Sequence, residues 1–130
     1  MDEPEREVVA AAVEDSGVRA SSRLAYVECG AAFGRAEREG RTRRGQLVRM
    51  LHNLDEAWGD MAVVELDEQI AGRAVAIAKD RALRASDAIH LASALAIAPP
   101  TGDVTFACFD RRLWEAAGGI GLRRVPVAPP

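Results

Sequence analysis

The sequence predicts an α/β domain with a mostly parallel central sheet. Stretches of helical period alternate with short extended stretches, and the joints between them are brief. The apolar run V-T-F-A-C-F passes at once into a helical pattern, as a buried strand feeding a helix does. At 130 residues the chain is long enough for one core, so residues 1–130 are read as a single domain.

The elements come in the following order. Pro4 to about Ser16 reads as a helix, with proline in its first turn and Val8, Val9, Ala12 and Val13 as its apolar stripe. Gly17 closes it, and Val18 to Ser21 is a short extended piece. Ser22 caps a second helix running to about Glu39, with Leu24, Val27, Ala31 and Phe33 facing inward. A third helix begins within Arg41-Thr42-Arg43-Arg44 and carries Leu47, Met50, Leu51, Leu54 and Trp58. Met61 to Leu66 reads as a strand, and Asp67 caps a fourth helix bearing Ile70, Ala74, Ile77 and Ala78. The next helix, capped by Ser86, is strongly apolar through Ala88, Ile89, Leu91, Ala92, Ala94, Leu95 and Ile97, until Pro99-Pro100 stops it. Asp103 to Phe109 is the buried strand, and Asp110 to Ala117 the helix after it. Gly118-Gly119 ends that helix, and Leu122 to Val127 is a last strand.

Composition excludes several classes. Apolar residues at 48% and charged residues at 28% are those of an ordinary folded domain. No apolar run approaches the roughly 20 residues of a membrane span, and the acidic start is no secretion signal, which points to the cytoplasm. A formal net charge of −3 gives no general attraction for nucleic acid, although a metal-loaded acidic site reverses the sign locally. Lys79 is the only lysine; the many arginines suit phosphate contacts, and a GC-rich coding bias gives the same composition. Cys29 and Cys108 are read as small buried residues in a reduced compartment. Together with His52 and His90 they lack the spacing of a zinc site.

Three carboxylates fall where chemistry is expected. Asp110 stands where an apolar strand gives way to a helix, the sheet edge at which open α/β folds bind ligands. Asp87 lies in the first turn of the most apolar helix, and Glu28 interrupts the apolar stretch A-Y-V-E-C-G-A-A. Each has a plainer reading: an aspartate at a helix start is commonly a cap, and Glu28 suits the solvent side of its helix. If the three converge they repel, and a divalent cation is the usual remedy. All-oxygen ligation points to Mg²⁺ or Mn²⁺.

The segments carrying these residues, S-R-L-A-Y-V-E (Ser22 to Glu28), L-R-A-S-D-A-I-H-L-A-S-A-L (Leu83 to Leu95) and V-T-F-A-C-F-D-R-R-L (Val104 to Leu113), resemble VapC-type PIN-domain ribonuclease toxins. The likeness covers nearly the whole chain. It implies a three-layer α/β/α PIN-like fold and a metal-dependent endoribonuclease of a toxin–antitoxin pair. Glu28, Asp87 and Asp110 would be catalytic residues and ligands of one or two Mg²⁺ ions, with Mn²⁺ as a substitute. It further implies an RNA substrate, a VapB-like antitoxin and a homodimer. Thr105 is read as packing, and His90 as a helix-face residue satisfied by a local hydrogen bond.

Members of that family open with an apolar strand ending in aspartate. The first residues here, M-D-E-P-E-R-E-V-V, instead resemble the loop and helix after that strand, so the first strand and its aspartate are expected to be missing. The true start is then expected upstream by about 12–20 residues, a strand plus a short helix. The alternative is a catalytically impaired PIN-like module that binds antitoxin or RNA without cleavage; a plain scaffold or receiver-like domain ranks below both. The G-G-I-G run (Gly118 to Gly121) lacks the Lys-Ser/Thr of a phosphate loop. Ser86, His90 and Asp87 on one helix end cannot form a nucleophilic triad. The R-T-R-R cluster reads as a solvated helix start, with RNA phosphate or an acidic antitoxin segment as its other use.

Overall fold

The computed structural model describes residues 3–97 and 104–130. In chain order the elements are α1 (Glu3–Asp15), β1 (Ala20–Ser22), α2 (Arg23–Arg38), α3 (Arg44–Gly59), β2 (Ala62–Val64), α4 (Glu68–Arg81), α5 (Ala85–Ile97), β3 (Thr105–Ala107), α6 (Arg111–Gly119) and β4 (Arg123–Val125). The α/β reading stands, and the predicted parallel pairing is present. It comes as two pairs: β1 runs parallel to β2 with Ser21 opposite Val63, and β3 parallel to β4 with Phe106 opposite Arg124. Among the described residues the two pairs do not join into one sheet. Pro99-Pro100 and Asp103 lie outside the described residues, as do Met1 and Asp2.

Local chemistry explains the element boundaries. Ser22, Asp67 and Asp110 each cap a helix, accepting from the N–H of Ala25 (3.3 Å), Ile70 (2.8 Å) and Leu113 (2.9 Å). The exception is α5. Its start is Ala85, not the residue after Ser86, because the Ala88 N–H donates to the Arg84 carbonyl and puts Arg84 at the cap position. The last helix extends through Gly119, two residues beyond the prediction. Its stop is Gly121 at φ +89°, with Leu122 N–H donating to Ala117 O and Gly121 N–H to Gly118 O, a Schellman ending. Gly118 serves a different end, leaving room for a side chain. A Cβ there would lie 2.3 Å from Arg124 Nη1, whose guanidinium stacks on Trp114.

The core lies on both sides of α5. One side packs Leu91 and Ala94 against Cys108, Leu113, Ala116, Ala117 and Leu122. The other sets Ala88 and Ala92 against Ile70 and Ala74 of α4, where small side chains let the two helices approach closely. This two-sided burial explains why α5 is apolar all round.

Several expected contacts are corrected. No residue of α2 is buried: Leu24 and Phe33 are half-buried, Ala31 is exposed, and Val27 is 58% exposed. Its apolar stripe is wider than the neighbours that α3, α5 and β1 provide. Val8 and Val13 of α1 and Leu51 of α3 are also exposed, whereas Leu54 is buried. Thr105 is exposed rather than packed. Both cysteines are free, Cys108 buried and Cys29 half-buried, and burial raises both thiols above their ordinary value. Neither is thereby activated as a nucleophile. Of the R-T-R-R cluster, Arg41 pairs with Glu39 at 2.6 Å in solvent, and the Arg43 N–H donates to the Gln46 side chain. No helix among the described residues is long and apolar enough to cross a membrane.

Two outcomes test this packing. Leu91→Ala, at a fully buried position, is expected to lower the unfolding free energy by about 2–5 kcal/mol in urea titrations, against about 0.5 kcal/mol or less for Val27→Ala. Asp110→Ala is expected to lose about 1 kcal/mol with its cap, while Asp110→Asn, which still caps, stays close to the parent.

Candidate active site

The first two turns of α5 organise the candidate site. Asp87, in the first turn, has a side chain only 10% exposed. An ionised carboxylate so placed is costly without a partner, and Arg84 supplies one, with Nε 3.2 Å from Asp87 Oδ2. The same guanidinium reaches Asp110, with Nη2 3.9 Å from Oδ2. Asp110 therefore uses one oxygen to cap α6 and turns the other to Arg84. The cap reading is realised, and the same side chain also faces Arg84. Arg84 itself is 69% exposed, so water screens the attraction and neutralises Asp87 only in part.

Glu28 reaches the same helix one turn on. His90, three residues after Asp87, lies on the same face of α5. Its Nε2 is 2.5 Å from Glu28 Oε1, and its Nδ1 is 2.6 Å from Ser22 Oγ. The expected local hydrogen bond is replaced by partners more than sixty residues away in sequence. Ser22 is buried at the end of β1 and Glu28 lies in the second turn of α2, so strand, helix and histidine are tied together at one point.

The result is a row of side chains along α5: Asp110, Arg84, Asp87, then His90 and Glu28. Arg84 and His90 are six residues apart, about 9 Å at helical rise. Among the described residues no three His, Cys, Asp or Glu side chains converge closely enough to hold a metal ion as they stand. The donor set nevertheless suits a hard divalent cation, being all carboxylate oxygen. Asp87 and Asp110 already share one cationic group, which fits a cation between them; Glu28 is turned to His90 instead.

Sequence reasoning missed Arg84 entirely and gave His90 the wrong partners. Arg84 had a signal: a basic residue three before a buried helical aspartate is placed to pair with it. Nothing in the sequence pointed from His90 to Ser22. An open cleft of about 310 Å³ lined by Arg23, Tyr26, Asp55, Trp58, Gly59 and Val63 includes none of the three carboxylates. Tyr26 and Glu28, two residues apart, project to opposite sides of α2.

Comparison with known proteins identifies the family. The PIN domain profile matches residues 1–119. Two curated relatives from Mycobacterium tuberculosis, Ribonuclease VapC45 of strain CDC 1551 / Oshkosh and Ribonuclease VapC49 of strain ATCC 25618 / H37Rv, are each 38% identical over 106 residues, covering 82% of this chain and 72% of theirs. The chain belongs to the PIN-domain family, in its VapC type.

Proposed function

We propose that this chain is the ribonuclease toxin of a toxin–antitoxin pair, cleaving RNA with a divalent cation held by Asp87, Asp110 and Glu28. The observation that carries the reading is the meeting of Asp87 and Asp110, twenty-three positions apart, around one positive group at the start of α5. Mg²⁺ is the ion proposed, with Mn²⁺ as a substitute, since oxygen-only sites suit both.

When bound, such a cation supplies Lewis-acid chemistry to a phosphodiester. The chain's own residues have distinct roles. Asp87, held by burial and by its place in the first turn, cannot move far and sets the origin of the site. Asp110, anchored through its capping oxygen, leaves the second oxygen for binding. Glu28, 49% exposed, rests one carboxylate oxygen on His90 and offers the other for binding. Arg84, released from the two aspartates, and Arg112, exposed at the start of α6, are placed to meet RNA phosphates.

A VapB-like antitoxin and a second copy of the chain are the proposed protein partners. Support comes from α2 and α3, where Val27, Val48 and Leu51 are exposed. With an RNA substrate, the cytoplasm is the proposed compartment. The second reading, a PIN-like module that binds without cleaving, is favoured by one observation: each carboxylate is already engaged by Arg84 or His90.

One experiment separates the readings. Cleavage of a labelled RNA is expected with Mg²⁺ or Mn²⁺, to stop with EDTA, and to fall roughly 10²–10³-fold in Asp87→Asn and Asp110→Asn. Binding of RNA without metal-dependent cleavage would instead support the module.

A further inference from the structure

Ser22 and His90 stand outside the set of carboxylates, yet both are largely enclosed. Ser22 is 5% exposed and the His90 side chain 19%. Buried polar groups of this kind hold a geometry, because every donor and acceptor must be matched.

The matching here runs in one direction. The Ala25 N–H, which can only donate, points to Ser22 Oγ at 3.3 Å. A hydroxyl that accepts there still has its own proton to give, and His90 Nδ1 lies 2.6 Å away. At the other side of the ring, Nε2 faces the Glu28 carboxylate, which when ionised can only accept. The proton of a neutral imidazole is therefore on Nε2, and Nδ1 takes the serine hydroxyl. The N-cap of α2 thus fixes the ring, and the ring fixes a carboxylate in the second turn of that same helix.

We infer that His90 is a positioning residue for Glu28: seated on Ser22, it donates its Nε2–H to the Glu28 carboxylate and holds it one turn of α5 from Asp87. The inference rests on the proposed function in taking Glu28 for a metal ligand. Without such a tether, a half-exposed glutamate samples many rotamers, and each metal-binding event must order it afresh. Partners of this outer kind alter metal affinity by about 10–100-fold when removed.

Two measurements test the inference. Nitrogen-15 NMR of the unaltered protein at neutral pH is expected to show the His90 Nε2 protonated; a bare Nε2 with the proton on Nδ1 overturns the assignment. Calorimetric titration with Mn²⁺ is then run on the parent, His90→Ala, His90→Gln, Glu28→Gln, and the Glu28→Gln/His90→Ala double variant. His90→Ala is expected to weaken Mn²⁺ binding by about 10–100-fold, and His90→Gln, which keeps a donor near Glu28, to recover most of that loss. In the Glu28→Gln background, removal of His90 is expected to have no further effect on affinity. An equal loss in both backgrounds shows that His90 acts by another route and overturns the inference alone. No Mn²⁺ uptake by the parent overturns the metal-site reading, and the inference with it.

Discussion

A carboxylate buried at the head of an apolar helix has to be neutralised, and Asp87 is such a carboxylate. Its helix, α5, packs on two sides, with α4 against Ala88 and Ala92 and the α6 region against Leu91 and Ala94. Asp87 cannot turn to solvent without disturbing that packing, so positive charge has to come to it. Arg84 brings the charge from one turn before, and in doing so draws in Asp110 from the start of α6. The site is thus a consequence of how α5 is buried, and the position of α5 dictates which parts of the chain can reach it.

The short strands have a related role. Among the described residues each is three residues long and pairs on one side only, so the ladders contribute few backbone hydrogen bonds. They matter for where they end. β1 ends at Ser22, which starts α2 and contacts His90. β3 ends at Ala107, three residues before Asp110, which starts α6 and contacts Arg84. Two strands, each followed by a capped helix, deliver α2 and α6 to adjacent turns of one central helix. The residues that cap the helices after these strands, Ser22 and Asp110, are the ones that contact α5's His90 and neighbouring Arg84.

This arrangement explains which features were legible in the sequence. Caps at Ser22, Asp67 and Asp110 depend on residues three positions apart, so pattern alone reveals them. The apolar periodicity of α5 was equally plain, and with it the oddity of Asp87. The start of α5 was misplaced because Ser86, a good capping type, lies close to Arg84, whose backbone does the work. Val27 was assigned inward from its spacing, but periodicity shows which face is apolar and not whether a neighbour covers it. Division of the sheet into two pairs depends on long-range packing that no local pattern encodes. The Ser22–His90–Glu28 chain was illegible for the same reason: its links join positions far apart, and each residue has a sufficient local explanation.

The two basic side chains flanking Asp87 differ in a way that bears on how the site works. Arg84 is 69% exposed and touches its aspartates from the solvent side, so its departure leaves no buried cation unpaired and costs little in packing. On the proposed function a divalent cation takes the place of Arg84 at Asp87 and Asp110, bringing twice the charge without a guanidinium's side-chain entropy. His90 is largely enclosed and fixed by a buried serine, so it stays where it is. Of the two neighbours, Arg84 is the solvent-facing one and His90 the enclosed one. Asp87 and Asp110 therefore gather positive charge at the start of α5, while His90, itself held by Ser22, keeps Glu28 one turn further along.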